Sequence, residues 1–197
     1  MKKHLIYLAS GNSSRFGENK LLQNFGGKPL FLHGLERLLE VAEADPDCEI
    51  TVVSRYPEIR EASRTLGVRA VDAPGSEKGV SHSIKAGIRA VSPCCDEDFL
   101  LFLCADQPHI FTDTLQRLLR RARPGTETAG LFAGKIPGNP VLFSAKLIPE
   151  LLELTGDSGG RAVLRRHPCI PVPAGNPLEL CDIDTVEEMR RQRMNLE

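Results

Sequence analysis

Phe99-Leu100-Leu101-Phe102-Leu103-Cys104-Ala105 runs directly into Asp106-Gln107-Pro108. Seven apolar residues without a polar alternation read as a strand covered on both faces, the pattern of a parallel sheet sandwiched between helices. The run is far too short to cross a bilayer, which takes about 20 residues. In open sheets of this kind ligands sit at the carboxyl ends of the strands. Asp106 follows the strand directly and so stands at that edge.

The neighbours on either side continue the alternation. Upstream, Val80, Ile84, Gly87, Ile88 and Val91 step by 4, 3, 1 and 3, one face of a helix that begins near Gly79 and stops before Pro93. Further back the pattern predicts a strand at His4–Ala9, a polar loop at Ser10–Asn19 and a helix opened by Pro29 with Phe31, Leu35, Leu38, Leu39 and Ala42 inward. A β-branched strand at Ile50–Val53, a helix at Pro57–Leu66 ended by Gly67 and a strand at Val68–Val71 follow. Downstream come a helix at Thr112–Arg123, strands at Ala129–Ala133 and Pro140–Phe143, and helices at Ala145–Leu154 and Gly160–His167. Short strands at Ile170–Val172 and Leu178–Cys181 and a closing helix at Thr185–Met194 complete the reading. Strands alternating with helices argue for a three-layer α/β/α, Rossmann-like fold with a mostly parallel sheet, as one domain over residues 1–197.

Composition excludes several functions. The chain has 197 residues with 25 Lys and Arg against 26 Asp and Glu, a formal net charge of -1. Nucleic acid and anionic membranes are bound through clustered positive charge, so neither is an expected partner, and any anion site must be local. At this length a chain buries roughly 70% of its unfolded surface and needs no staple. Met1–Ala9 lacks the core of a signal peptide, which points to the cytoplasm. Six cysteines without a CxxC pair read as reduced, mostly buried thiols with no zinc or redox role. None of the five histidines receives a role, and the basic run Arg117–Arg123 reads as a solvated helix face.

The loop after the first strand is the chemical candidate. Leu8, Ala9, Ser10 and Gly11 lead through small polar residues to Arg15 and Lys20. Small residues let backbone N–H groups approach an anion, and the two cations add charge-assisted bonds to phosphate. The spacing is not that of a Walker A loop, because Gly11 and Gly17 are separated by five residues and Leu21 follows Lys20. Alone, the stretch could equally be an ordinary polar turn.

LASGNSSRFGENKLL (Leu8–Leu22) resembles the opening signature of the nucleotidyltransferases that make molybdopterin dinucleotide cofactors. Further segments match the same family in order: GVSHSIKAGI (Gly79–Ile88), ADQP (Ala105–Pro108), GNPVLF (Gly138–Phe143), and GDSGGRAVL followed by DIDTVEE between Gly156 and Glu188. The nearest resemblance is to the molybdenum cofactor cytidylyltransferases. Two positions depart from the family pattern: Ser10 replaces the usual Ala or Gly, and Asn139 a common His.

The resemblance implies a nucleotide-diphospho-sugar transferase type of fold. It also implies transfer of CMP from CTP to the terminal phosphate of Mo-molybdopterin, with release of pyrophosphate and a molybdenum hydroxylase as recipient of the product. It assigns Arg15 and Lys20 to catalysis, and Leu8, Ala9, Ser10, Gly11, Arg15, Lys20, Gly79, Ser83 and Asp106 to the nucleotide, with Ser83 at the base and Ser81 beside it. Mg²⁺ would be held by Asp106 and Asp184, with Asp182 as the substitute if the register differs. Asn139, Asp157 and Arg161 would meet the acceptor. Each assignment has a plainer competitor: Asp106 as a turn aspartate before Pro108, Asp184 as a helix cap with Glu187 in capping-box spacing, Arg161 as an exposed helix residue. The competing functions are a guanylyltransferase or other small-molecule nucleotidyltransferase on the same fold, and a non-catalytic carrier of the molybdenum cofactor.

Overall fold

A computed structural model describes residues 1–11, 16–17 and 19–193. In chain order the elements are β1 (Lys3–Leu8), the small hairpin β2 (Asn24–Phe25) and β3 (Lys28–Pro29), α1 (Leu30–Ala44), β4 (Cys48–Val53), α2 (Pro57–Thr65), β5 (Arg69–Val71), α3 (Val80–Val91), β6 (Phe99–Cys104), α4 (Thr112–Leu119), β7 (Thr128–Ala133), β8 (Ile136–Ser144), α5 (Ile148–Glu153), α6 (Arg161–Leu164), β9 (Cys169–Pro173) and α7 (Val186–Arg193). Seven strands form one sheet in the order β5-β4-β1-β6-β8-β7-β9. All run parallel except β8, which is antiparallel to both β6 and β7.

Side chains of successive strand residues point to opposite faces, and the two hydrophobic clusters follow that period. Leu5, Tyr7, Leu101 and Leu103 face one layer, with Leu35 and Leu38 of α1, Ile59 of α2 and Leu115 and Leu118 of α4. Ile6, Leu100 and Phe102 face the other, with Ile84 and Ile88 of α3, Leu151 of α5 and Val163 of α6. This is the expected three-layer α/β/α arrangement. Helix α3 lies especially close to β1: a Cβ at Gly87 would stand 2.5 Å from Ile6 Cγ2.

Several expected elements differ. Leu178–Cys181 is no strand, because Pro177–Leu180 forms a 3-10 turn closed by a capping box. Asn176 Oδ1 accepts the Leu178 N–H at 2.9 Å, and the fully buried Glu179 accepts from Asn176 and Gly175 at 3.0 and 2.6 Å. The Gly160–His167 helix contracts to the single turn α6, and the 112–123 helix ends at Leu119. The cysteines are all free, but only Cys48 is fully buried; Cys95 is exposed and the other four are half-buried, which corrects the expectation of mostly buried thiols. Arg120, Arg121 and Arg123 are exposed, as a solvated face requires. Among the described residues no helix is long and apolar enough to cross a membrane.

Candidate active site

β1 and β6 lie side by side in register, with Leu8 opposite Cys104. The chain therefore leaves both strands at one edge, where the Ala105 N–H donates to Leu8 O at 3.0 Å. Lys20 returns to this edge in a short turn capped by Asn19, whose Oδ1 accepts the Leu21 N–H at 3.1 Å. The lysine is almost fully buried, and its ammonium donates to Asp106 Oδ2 at 2.9 Å, Asp184 Oδ1 at 3.0 Å and Ile183 O at 2.6 Å. Burial works against the charge, but the Asp106 and Asp184 carboxylates outweigh it and hold the ammonium pKa above the usual lysine value. The Ile183 N–H donates to Asp106 O at 3.0 Å and so fastens the last motif to the ADQP segment.

Asp184 is not the helix cap that its spacing with Glu187 suggested. Thr185 and Glu188 form the capping pair of α7: the Glu188 N–H donates to Thr185 Oγ1 at 3.1 Å, while Glu188 Oε2 accepts from Asp184 N and Thr185 N at 2.9 Å each. The Asp184 carboxylate is thereby left to face Lys20. Asp182 lies at the neighbouring rim, and partial burial, together with the charges of Asp106 and Asp184, pushes its carboxyl up to about 6.

A cleft of about 430 Å³ opens over this edge, lined by Leu8, Ser10, Gly11, Lys20, Gly79, Ser83, Asp106, Asp157 and Asp184. Of the residues expected there, Ala9 is fully buried instead, its N–H on Val53 O at 2.8 Å and its carbonyl accepting from Ser54 Oγ at 2.7 Å. It shapes the loop from beneath. Ser10 spends its hydroxyl on the backbone of the next strand, donating to Val53 O at 3.1 Å and accepting from Arg55 N at 3.2 Å. Ser81 is buried and lines neither cleft. Arg15 lies outside the described residues.

Gly79 joins two motifs. Its φ is +133°, and a Cβ would stand 2.2 Å from the Gly156 carbonyl and 2.7 Å from Asp157 N. Only a glycine permits that approach, which the Ser81 N–H bond to Gly156 O at 3.1 Å completes. A second cleft of about 390 Å³ continues beyond it, sharing Leu8, Val80, Cys104 and Asp157 with the first and containing Asn139 and Arg161. The edge-to-face pair Phe102 and Phe143, 6.0 Å between centroids, gives this cleft an apolar wall.

Sequence reasoning missed three contributors. Cys104 stands between the clefts and accepts from Asn139 Nδ2 at 3.3 Å. Burial, then the charges of Asp106 and Asp182, push its thiol well above the usual range, so it serves as wall rather than nucleophile. Tyr56 OH donates to Gly11 O at 2.8 Å, and Arg55 stacks over the Tyr56 ring at 4.8 Å, pinning the loop from β4. No local motif marks this pair.

The MobA-like NTP transferase domain matches residues 5–170. The chain belongs to that family. The MobA-like domain is a nucleotidyltransferase, which suits a cleft built from a buried cation and two carboxylates at the strand ends. Purine catabolism protein PucB of Bacillus subtilis (strain 168) is 29% identical over 194 residues, 93% of this chain and 92% of that protein. A protein of Thermococcus sibiricus named probable molybdenum cofactor guanylyltransferase is 47% identical over 66 residues, 34% of this chain and 32% of its own. A solved nucleotidyl transferase from Methanothermobacter superposes with a TM-score of 0.81 at 25% identity, covering 98% of this chain and 97% of that one. These likenesses establish the nucleotide-diphospho-sugar transferase type of fold and transfer of a nucleotide to a small molecule. They do not single out the cytidylyltransferases.

Proposed function

We propose that the protein transfers a nucleoside monophosphate from an NTP to the terminal phosphate of a molybdopterin, releasing pyrophosphate. The observation that carries this reading is the convergence of Lys20, Asp106 and Asp184 in a cleft that shares a wall with a second, partly apolar one. The donor triphosphate lies in the first cleft and the pterin in the second, beside Asn139, Asp157 and Arg161.

An acceptor phosphate with its second pKa near ~6 is already largely ionised at neutral pH, so its oxygen needs no general base. That oxygen attacks the α-phosphorus, the α–β bridging bond breaks, and pyrophosphate leaves with the electron pair. The protein contributes placement and charge. Lys20 and Arg15 balance charge on the phosphates, Gly11 lets the backbone approach them, and Ser83 meets the base. Asp106 and Asp184 already hold a cation, the Lys20 ammonium, and their oxygen-only donor set suits Mg²⁺. When bound there, Mg²⁺ neutralises the triphosphate.

Two donors are in play. The segment Ser83–Gly87 resembles that of cytidylyltransferases and supports CTP, whereas the name of the Thermococcus relative supports GTP. Between them, the comparisons lend more support to GTP. Thermal unfolding with Mg²⁺ and each of the four NTPs discriminates, since a site at 100-fold its Kd gains about 2.7 kcal/mol, a shift of roughly 5–10 °C. Selective stabilisation by one of GTP or CTP, followed by pyrophosphate release with Mo-molybdopterin, is expected. An equal response to all four, or tight cofactor binding without pyrophosphate release, would refute the reading, the latter in favour of a carrier.

A further inference from the structure

Away from the cleft, the opposite end of the sheet carries a second group of metal-type donors. His4 stands at the start of β1, Asp98 just ahead of β6, and Cys94 in the turn between α3 and β6. A ring nitrogen of His4, the Cys94 sulfur and a carboxylate oxygen of Asp98 all lie within 4.8 Å of one another, the only such His, Cys and carboxylate group among the described residues.

The imidazole is the decisive member. Its side chain is 7% exposed, yet neither ring nitrogen has a hydrogen-bond partner. Buried polar groups are almost always paired, and a neutral imidazole has one donor and one acceptor to satisfy. Nε2 lies 3.7 Å from Asp98 Oδ2, too long for a hydrogen bond. It is close to the roughly 3.4 Å that separates two ligands on one tetrahedral ion with bonds of about 2.0–2.1 Å. Asp98 is already aimed: Oδ1 accepts the Lys2 N–H at 2.7 Å and Oδ2 the Cys95 N–H at 2.9 Å, leaving lone pairs toward His4. On the other side Glu49 Oε2 lies 4.0 Å from Nδ1, the place of the carboxylate that orients a metal-bound histidine.

We propose that His4, Cys94 and Asp98 bind Zn²⁺, with solvent as the fourth ligand, and so tie the start of β1 to the turn between α3 and β6. A set of imidazole, thiolate and carboxylate selects zinc over Mg²⁺ or Ca²⁺, which take oxygen ligands. Binding releases the thiol proton of Cys94 to solvent. The ion anchors the far end of α3, the helix whose first turn lines the nucleotide cleft. His4 is remote in sequence from Cys94 and Asp98, and the group carries no CxxC signature, which is why the cysteines read as inert.

The full chain, reduced and stripped with chelator, is titrated with Zn²⁺ against a chromophoric indicator under excess Mg²⁺, which occupies oxygen-only sites. Parallel titration with Co²⁺ reports thiolate ligation by a charge-transfer band. One equivalent of zinc, that band and a zinc-dependent rise in Tm are expected. Cys94→Ser exchanges one atom of a half-buried side chain and is expected to abolish the band and weaken zinc binding at least about 100-fold, more than the loss of an orienting partner alone. Cys95→Ser and Cys181→Ser are expected to change neither. Absence of stoichiometric zinc, or an unchanged zinc affinity and cobalt spectrum in Cys94→Ser, would overturn the proposal.

Discussion

Lys20→Met removes the ammonium while keeping an unbranched side chain of similar reach. Among the described residues its acceptors lie 2.6–3.0 Å from Nζ, and two of them are carboxylates that then lose this cation. Removing one partner of a buried ion pair costs about 3–5 kcal/mol. The Asp106 and Asp184 side chains are 25% and 37% exposed, so water screens part of the penalty; halving it leaves about 2 kcal/mol. At this chain length that lowers Tm by roughly 4–8 °C. The loss has a second sign to check: with no ammonium competing for the carboxylates, Mg²⁺ binds more tightly and restores stability. Scanning calorimetry of parent and variant, each in chelator and in Mg²⁺, measures both effects. A variant melting within about 1 °C of the parent in chelator, or showing the parent's response to Mg²⁺, would refute the reasoning.

Asp106→Asn is expected to keep the parent's fold by circular dichroism but to lose at least about two orders of magnitude in pyrophosphate release, some 2.7 kcal/mol of transition-state stabilisation; near-normal turnover would remove Asp106 from the machinery. Gly79→Ala places a Cβ 2.2 Å from the Gly156 carbonyl at φ +133°, and should cost about 1–3 kcal/mol for the backbone alone and weaken nucleotide binding. Gly159→Ala, whose Cβ would meet only Val80 Cγ1 at 3.6 Å, should melt like the parent, so equal Tm values for the two variants would contradict the close-approach argument. His167 bonds Glu127 and Glu150 at 2.8 Å each; the bond to Glu127 most of all, then the interactions with Glu150, raise its pKa above 6.5 against an opposing desolvation that ranks second. A raised histidine stabilises fully below its unfolded value and loses that contribution as pH rises through the folded one. The Tm gap between parent and His167→Asn should therefore be widest at about pH 5–6, where the imidazole and both glutamates are charged, and narrow at alkaline pH; a gap independent of pH would exclude the ion pairs as its source.

What could be read in advance follows the physics of each signal. Phe99–Cys104 announces a doubly covered strand because burial on both faces leaves no polar alternation, and the β1 and α3 periods are as plain. The direction of β8 is not written in any period, since a strand looks alike whichever way it runs. Leu178–Cys181 misleads for a different reason: its apolar residues suggest a strand, while Asn176, Pro177 and Glu179 supply a capped turn that prevails. At the site, Lys20 and Asp106 stand out by position. Asp184 needs the resemblance, because two capping registers overlap there and only the fold shows that Thr185 and Glu188 take the cap. Tyr56 and the His4 group escape because their partners lie far away along the chain.

Lys20 and Asp184 are separated by 164 positions yet share a hydrogen bond. On a ribosome the ammonium and Asp106 emerge long before the second carboxylate does. A nascent chain that has already formed β1 and β6 therefore lacks one wall of its cation cradle until Asp184 follows, 164 positions after Lys20. A chain cut short before Asp184 would contain all seven strands of the sheet while lacking that carboxylate.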